Sequence, residues 1–180
     1  MKLARGFKSY CERTVSALRA ELAVHDDAPV DMDLLANHLH IPVQALGMLL
    51  SSSGHSRADP GIDEIYRKVS AFTVFDGPKR TIIFNEEHAA PRHRSNLAHE
   101  LAHALLQHPP RDSGLGVIQE DVHEEEAAWM GGVLMLTAGQ ARRIASSGMS
   151  FIEAALKYKL SSEMLRFRLN VTGAGRVSAG

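Results

Sequence analysis

RSNLAHELAHALLQ, residues 94–107, is the stretch from which the rest of the chain is read. Within it His99, Glu100 and His103 spell H-E-x-x-H. Two histidines four apart on a helix differ by about 40° in rotation and about 6 Å along the axis, so both imidazoles reach one cation. Glu100 projects from the adjoining flank, where a carboxylate can hold a water and take its proton. Leu97, Leu101 and Leu105 form an apolar stripe with Ala98, Ala102 and Leu106 beside it, the period of an amphipathic helix. Ser95 or Asn96 is expected to cap that helix, and Pro109-Pro110 to stop it. Ten histidines in 180 residues make a chance H-E-x-x-H a real alternative, and it is the helical setting that counts against chance.

A catalytic zinc site has three protein ligands and an open position, so a further ligand is required downstream. The acidic run Glu120, Asp121, Glu124, Glu125, Glu126 opens a second helix, EAAWMGGVLML following from Glu126. Acidic residues in a first turn also simply suit the helix dipole. Glu126 is the expected ligand, because Met130, Val133 and Leu134 continue its face into the core, whereas Glu124 and Glu125 rotate away. His123 is the second candidate and Glu125 the third. Ala127, Ala128, Gly131 and Gly132 leave room for two helices to approach closely.

Upstream, Phe7, Cys11, Val15, Leu18 and Leu22 mark an N-terminal helix within residues 1–25, and Asp31 caps a short helix through Leu39. His38 and His40 read as surface residues. The segment LLANHLHIPVQALGMLL admits a helix-turn-helix reading, but Ile41, Pro42 and Val43 suit a short strand better and no lysine or arginine accompanies them. Residues 51–61 read as a loop. Ile65–Phe75, the turn Asp76-Gly77-Pro78-Lys79 and Thr81–Phe84 read as a β-hairpin, followed by a loop, NEEHAAPRHR, into the motif helix. An edge of that sheet could hold an extended peptide as an added strand. Residues 111–118 read as a loop, 138–170 as short helices, and 173–180 as a disordered tail. Arg143, Arg166 and Arg168 read as a solvated basic face. The expectation is one α+β domain over residues 1–172, with a small, mostly antiparallel sheet packed beside the H-E-x-x-H helix.

A net charge of −1 gives no global reason to bind nucleic acid. Cys11 is the sole cysteine, which rules out an internal disulfide and any thiolate cluster. With no apolar run of about 20 residues and no signal-like start, a cytoplasmic protein without a membrane span is expected.

The stretches RGFK, PVDMDLLANHLHIPV, RTIIFNEEH, RHRSNLAHELAHALLQHPP, EEEAAWMGGVLML and LSSEMLRFRLNVTGA together resemble the ImmA/IrrE family of metallo-endopeptidases, in the family's order. The resemblance implies gluzincin-like binding of one divalent ion, zinc or alternatively manganese. It places the third ligand on the glutamate before the alanine of the second helix, Glu126. It also implies cleavage of a protein substrate, a helix-turn-helix repressor, in transcription regulation and stress response. Glu100 is then the general base, and His123, Tyr66 and Arg94 are candidates for an auxiliary donor to the oxyanion. The alternative is a non-catalytic module, stapled by metal, that grips a repressor or other partner without cutting it. The oligomeric state is not readable from the residues.

Overall fold

A computed structural model describes residues 3–110 and 117–174. In chain order the elements are α1 (Phe7–Glu21), α2 (Met32–His38), β1 (Val43–Ala45), α3 (Leu46–Ser52), α4 (Ile62–Lys68), β2 (Ala71–Asp76) and β3 (Lys79–Phe84). Then follow α5 (Ala90–Leu105), α6 (Val117–Met135), α7 (Ala138–Ser146), α8 (Phe151–Tyr158) and α9 (Ser162–Val171). The class is α+β, as expected. The strand order is β1-β3-β2, with β2 antiparallel and β1 parallel to the central β3. The parallel pairing of β1 follows from the helices α3 and α4 that carry the chain from its end to the hairpin.

Strand β3 divides the interior. Side chains alternate across a strand, so Ile82 joins the main core with Leu35, Leu97, Leu101, Met130 and Leu134, whereas Ile83 packs with Leu46, Ile62 and Tyr66 on the other face. Motif helix α5 lies between sheet and bundle, packed against α6 on one side and against β2 and β3 on another.

Several element boundaries differ from the sequence reading: the short strand expected at Ile41–Val43 is β1 at Val43–Ala45, and α3 runs through Ser52 into the expected loop. The hairpin's first strand does not begin at Ile65: residues 62–68 are helix α4, entered from Gly61 at φ 86°. Ile62, Ile65, Tyr66 and Val69 recur at helical spacing, Asp63 and Glu64 lie in the first turn and Arg67 and Lys68 in the last, a charge order that suits the helix dipole. The motif helix begins at Ala90 with Pro91 in its first turn, so Ser95 and Asn96 lie inside it and neither caps it. Proline's preset φ and missing N–H cost nothing there. Asp31 does cap α2, accepting from Asp33 N and Leu34 N, and Ser161 caps α9 through Met164 N.

Arg168 is a larger correction. It is completely buried rather than part of a solvated face, donating Nε to Leu136 O at 2.8 Å and an Nη to Glu12 Oε1 at 3.0 Å. The expected loop at 111–118 lies outside the described residues except for Val117 and Ile118, which begin α6. Most of the expected tail, residues 175–180, lies outside them too. Among the described residues no helix is long and apolar enough to cross a membrane.

Candidate metal centre

Helices α5 and α6 approach closely because of one glycine. A Cβ on Gly131 would stand 3.2 Å from Ala98 O and 3.3 Å from His99 Cα, so even an alanine there would require the facing backbone at the motif to give by a few tenths of an ångström. Two turns earlier on the same face of α6 is Glu124. Its carboxylate lies at the motif: Oε2 is 3.1 Å from His99 Nε2, and Oε1 is 3.5 Å from His103 Nε2. The two imidazoles are themselves 3.1 Å apart, Nε2 to Nε2.

These three residues offer one ligand atom each within 4.8 Å of one another. Ligands about 2.1 Å from a tetrahedral zinc are separated by about 3.4 Å, and the imidazoles at 3.1 Å, with one carboxylate oxygen 3.1 Å from His99 and the other 3.5 Å from His103, lie close to that spacing. Two imidazoles and a carboxylate are also the right donors, for zinc or for manganese. His99, His103 and Glu124 are half-buried, so one side of the group remains accessible.

Glu100 stands outside this group, turned toward the sheet. Its Oε2 accepts a 2.7 Å hydrogen bond from the Thr73 hydroxyl on β2. The hydroxyl fixes the carboxylate's orientation while leaving its other oxygen uncommitted to Thr73.

Glu126, the expected third ligand, lies elsewhere. Its Oε2 is 3.2 Å from His108 Nε2, and His108 Nδ1 is 2.9 Å from His103 Nδ1. His108 reaches that position because α5 ends in a Schellman motif. Gln107 adopts the left-handed conformation at φ 57°, Gln107 N donates to Ala104 O and His108 N to His103 O, turning His108 back beneath its own helix. Arg80 of β3 holds this turn, donating to His108 O at 3.0 Å and His103 O at 3.4 Å. Burial pushes the His108 imidazole below its ordinary range, with the Glu126 hydrogen bond working in the opposite direction.

The auxiliary candidates are spread out. His123 stacks on His108 at 4.3 Å and so borders the centre. Tyr66 donates its hydroxyl to Glu86 Oε1 at 3.0 Å and belongs to the smaller core. Arg94 donates to Val30 O in the segment before α2. Glu125 is not in the three-residue group. Cys11 is buried and its thiol pushed up to about 12, chiefly by that burial, so it brings no thiolate to any site.

Sequence reasoning missed Thr73, His108 and the role of Glu124. Nothing in β2 singles out Thr73. His108 had a signal, since a histidine five residues beyond His103 and just before the prolines is where a helix-ending turn brings the chain back. Gly131 was the signal for Glu124, seven residues away.

A paired-histidine helix facing an acidic helix, with a glutamate held by Thr73 at a sheet edge, is the arrangement of a metallopeptidase-like protein. The profile of the IrrE N-terminal-like domain, Peptidase_M78, matches residues 36–170, and the chain belongs to that family. No curated protein matches the chain.

Proposed function

We propose that this protein is a metal-dependent endopeptidase that cleaves a protein substrate, with a helix-turn-helix transcriptional repressor as the substrate class. The observation that carries the chemistry is the convergence of His99, His103 and Glu124 within 4.8 Å, with Glu100 adjacent in sequence yet held apart by Thr73. His99, His103 and Glu124 are the ligands, and Glu124 takes the place for which the sequence nominated Glu126. A divalent ion there would supply Lewis acidity, lowering the pKa of a water toward about 7 and polarising a carbonyl. Glu100 takes the proton of the attacking water and passes it to the leaving amine. The substrate class rests on the family alone.

The deciding experiment mixes zinc-loaded protein with the helix-turn-helix repressor encoded nearest to it. A discrete cut, lost on chelation and absent from Glu124→Gln, is the expected result. An intact repressor in the presence of protein carrying one zinc per chain would remove the repressor from the proposal.

Strand β2 also bears on substrate handling. It is an edge strand, and its Thr73 touches Glu100, so a peptide added alongside it would run past the general base. Replacing a substrate amide by an ester at a strand-pairing position should then weaken binding about fivefold to tenfold, as loss of one hydrogen bond does. Equal inhibition constants for amide and ester peptides would place the substrate elsewhere.

A further inference from the structure

The geometry points to His108 and Glu126 as positioning residues that orient the ligand His103 and set how tightly the centre holds its ion. The inference rests on the metal-site reading above.

The proton arrangement has one consistent solution. If His103 gives the lone pair of Nε2 to an ion, its Nδ1 carries hydrogen and must donate. The atom facing it at 2.9 Å is His108 Nδ1, which can accept only if His108 carries its own hydrogen on Nε2. That hydrogen points at Glu126 Oε2, 3.2 Å away, an anionic acceptor. Every donor thus meets an acceptor along Glu126, His108 and His103. Reversing one imidazole would set two N–H groups, or two lone pairs, against each other. The carboxylate therefore selects the tautomer of His103 through His108, and it makes His103 a stronger base toward a cation. Metal-bound histidines commonly donate to a carboxylate directly; here a second imidazole spans the gap.

The relay is built rather than incidental. His108 is 5% exposed. His123 stacks on its ring, and its backbone is fixed by the Schellman turn and by Arg80. Its ring cannot rotate away without disturbing these contacts.

The test is metal affinity, not turnover. Zinc dissociation constants from chelator competition, and the visible d–d spectrum of the cobalt(II)-loaded protein, are compared for wild type, Glu126→Gln, Glu126→Asp, His108→Phe and Glu124→Gln. Glu126→Gln and His108→Phe should weaken zinc binding about 10–100-fold while one ion per chain still binds, and should shift the cobalt bands. Glu126→Asp should restore part of the affinity, and Glu124→Gln should bind more weakly than any of these. Thermal melting of the metal-free proteins identifies variants weakened merely by misfolding, and Glu126→Gln, equal in shape, serves if His108→Phe is one of them. Unchanged affinity and spectrum in Glu126→Gln would overturn the inference. So would loss of the ion from Glu126→Gln together with its retention in Glu124→Gln, which would make Glu126 the ligand. A wild-type protein that takes up no zinc at all would instead refute the metal reading on which the inference stands.

Discussion

Glu100→Gln is expected to lower the rate of substrate cleavage by about 10²–10⁴-fold, the range for losing a positioned general base, while zinc affinity changes by less than about threefold. The two halves of this result have separate origins. Glu100 is not among the three groups that converge on the metal position, so its charge is not needed to hold the ion in place. A glutamine there keeps an oxygen that accepts from Thr73 at the same place, so the local packing of α5 against β2 survives. What disappears is a carboxylate able to take a proton. Measuring single-turnover cleavage beside chelator competition separates the two. A loss of zinc with a loss of activity would mean that Glu100 helps to ligate, and full activity would mean that another group is the base.

The same variant distinguishes the enzyme from a metal-stapled binding module. A structural zinc site is closed by a fourth protein ligand. Among the described residues the group contains three, and His123, the obvious fourth, stacks on His108 instead. A module that only grips its partner has no use for Glu100, so its partner affinity would be indifferent to Glu100→Gln and no wild-type cut would be seen. The metal assays alone cannot separate these readings, because both hold the ion with the same residues.

The course of the main helices could be read from the residues because caps and apolar period agree there. Asp31, Ser161 and the α5 stripe each fall where the structure uses them. Ile65–Val69 misled because β-branched and aromatic residues in a short run suit either state, and the choice was made by Gly61 and the surrounding charges. That the structure brings Glu124 rather than Glu126 beside the two histidines has a different reason. Helix α6 buries Ala127, Met130 and every residue from Val133 to Met135, so pointing toward the core does not mean pointing toward α5. Only the glycine that lets Ala98 and His99 approach distinguishes that direction, and it aligns with Glu124. The acidic run does single out Glu126, while Glu124 reads as rotating away. That reading assigns Glu126 to the ion, when its carboxylate lies on His108, one imidazole further out.

Arg168→Leu is expected to destabilise the fold by about 3 kcal/mol, the usual cost of breaking a buried ion pair from one side. For a chain of this length that is a fall in melting temperature of roughly 6–12 °C. The guanidinium ties its own helix, α9, to three others. Its Nε satisfies Leu136 O at the end of α6, and an Nη meets Glu12 of α1, whose two carboxylate oxygens each accept from Ala138 N at 3.1 Å, at the start of α7. Its Cδ lies against Gly132, where an added Cβ would stand 3.2 Å away, and its plane approaches the Trp129 ring at 5.7 Å. Leucine fills part of that space but leaves Leu136 O without this donor and Glu12 without its cation. The double variant Arg168→Leu, Glu12→Gln should recover part of the loss, since the remaining amide can still accept from Ala138 N without a buried charge. Urea denaturation of the single and double variants measures both quantities. A single-variant loss under about 1 kcal/mol would show that burial of the guanidinium costs nearly as much as its bonds return. Because Leu136 directly follows α6, which carries Glu124, the same variant should also weaken zinc binding if the end of α6 sets the helix's register on α5. Unchanged zinc affinity would instead show that Gly131 alone fixes that register.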